Sequence, residues 1–269
     1  MPAVVSDGVR ISYRIIDADP EHPAVVCLHG WSASSRTNFD AFGWVDALKD
    51  RFRLVLIDFR GHGSSGKPLH SAAYSNEQLA ADVVAVLDAE RIHQPLLLGY
   101  STGAQVAVEL LARWPGRFAA GALCGIGSRN YFGWGRRFIA EDGLARPRFD
   151  LFPPRQAAMF LHWLHNNPIA LAEAWRGLYC GRPPVDLSRA NAIREPVVIA
   201  TGTRDGYSHS AAELAAAIAG AELVWISGRN HVTTLGDRRL KQEVMAFFGS
   251  VIGEQPRAVT AFDTAGGDG

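Results

Sequence analysis

The sequence predicts an α/β fold: a mostly parallel sheet with helices on both faces, opened by an antiparallel hairpin. Three observations carry that expectation. Short continuous apolar runs recur along the chain (Ala24 to Leu28, Leu54 to Ile57, Leu96 to Leu98, Ala119 to Cys124, Pro196 to Ala200, Leu223 to Ile226), the pattern of strands covered on both sides. Between them, apolar residues return every three or four positions, so helix and strand alternate. Asp7 and Gly8 form a turn signal between Val4 Val5 and Ile11 to Ile15, which sets two antiparallel strands at the start.

Taken in order, Phe39, Phe42, Val45 and Leu48 stand at helical spacing and predict a helix from Phe39 to Leu48. Asp58 Phe59 Arg60 Gly61 His62 Gly63 Ser64 is too rich in glycine to be regular structure. Ser75 with Gln78 reads as a capping box, and Leu79, Val83, Val84 and Leu87 then mark an apolar helix face. The helix from Ala104 to Trp114 is stopped by Pro115 Gly116. From Ser128 to Arg194 the rhythm breaks into a stretch dense in aromatics and prolines, read as an inserted helical cap over residues 128–194; extra helices with an ordinary core are the alternative. Residues 1–127 and 195–253 then make the core domain. Ala211 to Ile218 and Leu240 to Val251 are helical by composition and period, and residues 254–269, without any apolar period, are expected to be disordered.

Composition narrows the function classes. The 269 residues suffice for one domain with an insertion, and 27 basic against 27 acidic residues give no net charge, so neither nucleic acid nor an anionic membrane is an expected partner. Cys27, Cys124 and Cys180 fall singly, without metal or disulfide spacing. Met1 to Arg10 has no basic stretch followed by an apolar run, and no segment approaches ~18 continuous apolar residues. A cytoplasmic protein acting on a small molecule is the expectation, as a monomer or a homo-oligomer.

The stretch around which the chain is organised is Gly99 Tyr100 Ser101 Thr102 Gly103, between an apolar strand and a helix. A G-x-S-x-G pattern arises by chance in roughly one chain in ten of this length, and an ordinary Gly-Ser-Gly turn is the bland alternative. At a strand-to-helix junction, however, it has the setting of a nucleophile elbow. The flanking glycines permit a sharp turn, and helix N-terminal N–H groups face a charge developing on a substrate oxygen. Ser101, Asp205, His231 and His29 all follow predicted strand ends, the edge at which open sheets bind ligands.

With those residues in place, the chain resembles the α/β-hydrolase superfamily over about residues 5 to 250. The family order of nucleophile, acid and histidine is matched by Ser101, by Asp205 in Gly202 Thr203 Arg204 Asp205, and by His231 in Asn230 His231 Val232. His29 Gly30 Trp31 and Arg60 Gly61 His62 Gly63 match two further family turns, whereas Asn230 stands where many members have glycine. The resemblance implies an eight-stranded sheet and a serine hydrolase of the esterase, lactonase or haloperoxidase-like branch. In that reading Ser101 is the nucleophile, His231 the base and Asp205 the residue that orients it, and a helix N-cap is the alternative for Asp205. The backbone N–H groups of Trp31 and Thr102 form the oxyanion hole, and neither metal nor organic cofactor is required. His29 and His62 are read as structural, tying loops together.

The substrate pocket is expected from Tyr100 and the cap aromatics Tyr131, Trp134, Phe138, Phe160 and Trp163, for a small, largely apolar carboxylic ester or lactone. For Tyr100, packing beneath the turn is equally open. The serine at position 101 disfavours haloalkane dehalogenase and epoxide hydrolase chemistry, which in this fold uses aspartate. Gly99 Tyr100 Ser101 resembles the menaquinone-pathway synthase branch, but that branch has an arginine four residues after the serine and this chain has Gln105. Carbon–carbon bond cleavage, cofactor-free perhydrolysis, cofactor-independent dioxygenation and a triad-bearing small-molecule receptor with slow turnover are the alternatives.

Overall fold

Asp7 and Gly8 both take positive φ (48° and 71°), the backbone of a tight hairpin, and pair β1 (Ala3–Ser6) antiparallel with β2 (Val9–Ile16). The computed structural model describes residues 1–16, 19, 21–129, 166–180 and 183–253. The remaining strands are β3 (Ala24–Leu28), β4 (Arg53–Ile57), β5 (Leu96–Tyr100), β6 (Ala120–Cys124), β7 (Val197–Gly202) and β8 (Glu222–Ile226). Together they form one eight-stranded sheet in the order β1-β2-β4-β3-β5-β6-β7-β8, antiparallel through β4 on the β2 side and parallel from β4 to β8.

Strand alternation divides the core. Val26, Leu28, Val55, Ile57 and Leu97 point to one face, against α2 (Asn76–Ala89) and α3 (Thr102–Arg113). Val25, Cys27, Leu54, Leu56, Leu96 and Leu98 point to the other, where Trp44 and Phe248 pack from α1 (Trp44–Leu48) and from the C-terminal helix Arg238–Val251. All these side chains are buried, as the unbroken apolar runs require.

The predicted helix from Phe39 to Leu48 is instead two short pieces, a π-turn at Arg36–Asp40 and then α1. Gly43 separates them with φ 69°, and this break lets Trp44 turn inward to donate its indole N–H to Leu235 O at 2.8 Å. The Ser75 capping box is half formed. Ser75 Oγ accepts the Gln78 N–H, but the Gln78 amide donates to Ala72 O.

Within residues 128–194 two helices are described, α4 (Pro168–Tyr179) and α5 (Leu187–Ala190). Ala172, Trp175, Leu178 and Tyr179 of α4 join the same buried cluster as α2 and α3. Three helices follow strands β7 and β8: α6 (Ala211–Ala217), α7 (His231–Leu235) and α8 (Arg238–Val251). The expected pocket residues Tyr131, Trp134, Phe138, Phe160 and Trp163, and the tail 254–269, lie outside the described residues. Among the described residues no helix is long and apolar enough to cross a membrane.

Candidate active site

Strand order reverses between β3 and β5, because β4 lies on one side of β3 and β5 on the other. The crevice beyond the carboxyl ends of such a pair is where open α/β sheets accept ligands. Trp31 follows β3, Ser101 follows β5, Asp205 follows β7 and His231 follows β8, so all four sit on that edge.

Ser101 occupies a backbone conformation that non-glycine residues avoid, φ 55° and ψ −114°. Such a position stores about 1–3 kcal/mol and persists only when its surroundings impose it. Here the Ser101 N–H is tied to Cys124 O at 2.8 Å, and its carbonyl accepts from the N–H groups of Ala104 and Gln105 in the first turn of α3. The flanking glycines are required by space. A Cβ at Gly99 would lie 2.5 Å from Gly103 O, and one at Gly103 would overlap the Leu28 carbonyl.

His231 is set by its neighbours on three sides. Its Nδ1 lies 2.8 Å from Asp205 Oδ2. The Asp205 carboxylate is buried and is held in turn by the Tyr207 N–H at 2.9 Å and the Thr201 hydroxyl at 3.3 Å. Burial alone raises the Asp205 pKa, but the hydrogen bond and charge of His231, with the Tyr207 N–H, outweigh it and hold the carboxyl below its ordinary value. The N-cap of α6 is Ser210 rather than Asp205. The ring of His231 lies between those of Tyr100 and Tyr207, with centroids 5.4 and 4.7 Å away. Tyr100 is buried, and its hydroxyl donates to the His231 carbonyl.

Asn230, the departure from glycine, has a local purpose. It caps α7, its side-chain oxygen accepting the N–H groups of Val232 and Thr233 while Thr233 Oγ1 accepts the Asn230 N–H. His231 is thereby fixed as the first helical residue.

Ser101 and His231 border the same peptide. Ser101 donates to Cys124 O, and a Cβ built on Gly125 would stand 3.3 Å from His231 Cε1, the ring atom next to Nε2. His231 Cε1, the carbon between its two ring nitrogens, therefore lies close to the segment whose carbonyl anchors the serine.

Of the two main-chain donors expected at the oxyanion position, that of Thr102 is at the first residue of α3, where the helix offers no acceptor. That of Trp31 donates to Thr102 Oγ1 at 3.0 Å. Trp31 is braced by α4. Its indole N–H donates to Leu171 O at 3.1 Å, and its ring meets Trp175 edge-on at 4.9 Å. The Tyr179 hydroxyl of α4 contacts Thr102 Oγ1. Tyr179, Trp175 and Tyr207 bear on the site but belong to no motif; only their place in the fold identifies them.

The other turns of this edge are framework. His29 uses both nitrogens, Nδ1 with Gly30 O at 2.8 Å and Nε2 accepting the Phe59 N–H at 3.1 Å. His62 Nδ1 pairs with Arg60 O at 3.0 Å, and Arg60 makes two 2.7 Å bonds to the buried Asp82. Burial, helped by repulsion from His29, pushes the His62 pKa down to about 3. Asn166 is fastened to these turns, accepting the Gly63 N–H and donating to Ser32 O, both at 2.8 Å. Among the described residues no group of three or more His, Cys, Asp or Glu side chains is placed to hold a metal ion.

A family model for the alpha/beta hydrolase fold matches residues 23–175. The putative 2-succinyl-6-hydroxy-2,4-cyclohexadiene-1-carboxylate synthase of Bacillus subtilis (strain 168) is 31% identical over 225 residues, covering 75% of this chain and 80% of that protein. Several further curated relatives align over less than half of their own length. Among solved structures, the esterase RhEst1 from Rhodococcus sp. ECU1013 superposes with a TM-score of 0.74 at 26% identity, covering 93% of this chain and 98% of that one. Est816, described as an N-acyl homoserine lactone degrading enzyme, gives a TM-score of 0.74 at 26% identity, covering 92% of this chain and all of that one. From the family match, the sheet and these relatives, the chain belongs to the alpha/beta hydrolase fold family, a family of enzymes with hydrolases and esterases among these relatives.

Proposed function

We propose that the protein is a serine hydrolase that cleaves a small, largely apolar carboxylic ester or lactone through an acyl-enzyme. One observation carries the reading: an imidazole held by a buried carboxylate at 2.8 Å stands at the same sheet edge as Ser101, whose strained backbone sits at a strand-to-helix elbow. The relatives named for ester and lactone cleavage support the substrate class.

In this mechanism His231 Nε2 takes the Ser101 proton as Oγ attacks the carbonyl carbon. Asp205, acceptor-only because it is ionised, keeps the His231 proton on Nδ1 and stabilises the imidazolium that forms. The negative oxygen of the tetrahedral intermediate is received by the N–H groups of Trp31 and Thr102. Collapse returns the proton from His231 to the departing alcohol, or to the hydroxyl of an opened lactone. Water, deprotonated by His231, then attacks the acyl-enzyme and releases the acid. Residues 128–194 act as a cap over this edge, a role supported by α4 bracing Trp31 and Thr102. The neutral Gln105 argues against the synthase reaction for which the Bacillus relative is named.

The test is Ser101→Ala assayed on a panel of short-chain esters and lactones. A folded protein with turnover reduced by about 10³ or more is expected. Turnover equal to the unmodified protein would rule the assignment out.

A further inference from the structure

Trp31, one of the two proposed oxyanion donors, belongs to a four-residue turn, Gly30 to Ala33, closed by the Ala33 N–H donating to Gly30 O at 3.3 Å. Ser32, the third residue of that turn, takes φ 66°. Positive φ at this position favours glycine or asparagine, and a serine held there is strained. The core fixes the turn on either side, the Gly30 N–H donating to Asn38 Oδ1 at 2.7 Å and the Ser35 N–H to Asp58 Oδ1 at 2.8 Å. Its centre is held by Asn166, whose amide nitrogen donates to Ser32 O at 2.8 Å and to Ala33 O at 3.4 Å. The main chain settles which end of that amide faces which partner. Asn166 Oδ1 accepts the Gly63 N–H, which can only donate, so the NH2 group is the end that meets the two carbonyls, which can only accept.

Asn166 is buried and stands directly before Asn167, the cap of α4, the helix whose Leu171 carbonyl receives the Trp31 indole N–H. One segment therefore grips the turn twice, at the Trp31 side chain and at the carbonyls that follow it. We propose that Asn166 is a positioning residue for the reaction: it keeps Ser32 in its left-handed conformation and so holds the Trp31 N–H at the oxyanion position. The proposal rests on the serine-hydrolase reading. A strained backbone persists only where its surroundings impose it. Without the Asn166 donor, Ser32 relaxes toward negative φ, and Trp31, the other central residue of the turn, is redirected with it. The competent turn then becomes a minor population, and the rate falls by that fraction.

Two rates test it, kcat on a short-chain ester and phosphonylation of Ser101 by a fluorophosphonate, whose phosphoryl oxygen must enter the oxyanion position. Asn166→Ala is expected to lower both by about 5- to 100-fold, the range set by the strain released. KM is expected to stay within about threefold, because the lost stabilisation belongs to the transition state. The same substitution is then made in a Ser32→Gly background, where positive φ carries no strain. There it is expected to cost less than about threefold relative to Ser32→Gly alone. A role in packing alone would give equal losses in the two backgrounds. Should alanine perturb folding, as read by circular dichroism and melting, Asn166→Asp carries the same expectation. Ionised at pH 8, it still accepts the Gly63 N–H but offers no donor to Ser32 O. Unchanged rates in the serine background, equal losses in both backgrounds, or a change confined to KM would each overturn the proposal and leave the serine mechanism standing. If the unmodified protein is not labelled at Ser101, the serine-hydrolase reading falls first and this proposal with it.

Discussion

His29 and His231 are two imidazoles at the ends of strands on one edge of the sheet, and they are used in opposite ways. His29 is fully buried, with one nitrogen on Gly30 O and the other on the Phe59 N–H, so neither is available for chemistry. The side chain of His231 is 21% exposed, and its Nδ1 is held by the Asp205 carboxylate. Residue type and strand-end position are alike. What differs is whether the main chain or a carboxylate supplies the partners, and that difference separates a loop tie from the proton carrier we propose.

The comparison is broken most sharply by replacing each in turn. His231→Ala is expected to lower kcat by about 10³ or more while leaving the urea midpoint close to that of the unmodified protein. A variant that kept its turnover would remove the proton-carrier role. Asp205→Asn, which exchanges the acceptor that fixes the tautomer for an amide, is expected to cost about 10³ to 10⁴ in kcat with the fold intact, measured on the same esters.

His29→Ala moves the other observable. It leaves the Gly30 carbonyl and the Phe59 N–H buried without their partner, and about 1–3 kcal/mol of stability is expected to be lost per orphaned group. Denaturant unfolding checks this, and an unchanged midpoint would show that the tie carries no weight.

The framework histidines also predict a pH dependence. Burial lowers the pKa of His29, and burial with the nearby His29 charge lowers that of His62 to about 3. In the unfolded chain each takes its proton near ~6.5. Below that value the unfolded state binds more protons than the folded one, so stability falls as pH drops below about 6.5; for His62 the fall continues toward about 3, on the order of 1.4 kcal/mol per pH unit. Above that window these groups contribute no slope. The depressed Asp205 acts in a lower range, its contribution present above ~3.9 and lost as pH falls through its folded value. Unfolding of His62→Gln at pH 5, 6 and 7 is expected to show a slope shallower by about one proton, and an unchanged slope would contradict the burial argument.

The smallest effect is expected from Tyr100→Phe, which removes the hydroxyl from the His231 carbonyl but keeps the ring beside the imidazole. A fall of about three- to tenfold in kcat is expected from looser positioning of the base, and no change would assign Tyr100 to packing alone.

Much of this was legible in the sequence because the sheet is buried on both sides, so its strands read as uninterrupted apolar runs, and Asp7 Gly8 announced the hairpin. The elbow was legible because Gly99 and Gly103 are demanded by backbone that passes too close for a Cβ. Where tertiary contact outweighed local pattern, the reading failed. The periodicity of Phe39 to Leu48 concealed the break at Gly43, which follows from seating Trp44 against Leu235, 191 residues away. Asn230 stood out only as a departure from family pattern until the helix it caps was seen. The pairing of Thr102 with Tyr179 across 77 residues leaves no trace in any window of sequence, since it depends on where α4 docks.

The central claim is that a hydroxyl and a carboxylate-held imidazole meet at one turn. It is tested most directly by a crystal structure of the protein after reaction with a fluorophosphonate. The account predicts phosphorus bonded to Ser101 Oγ, His231 Nε2 within about 3.2 Å of that oxygen, and the phosphoryl oxygen facing the N–H groups of Trp31 and Thr102. An adduct on another residue, or one on Ser101 with the His231 ring turned away and out of reach, would contradict it.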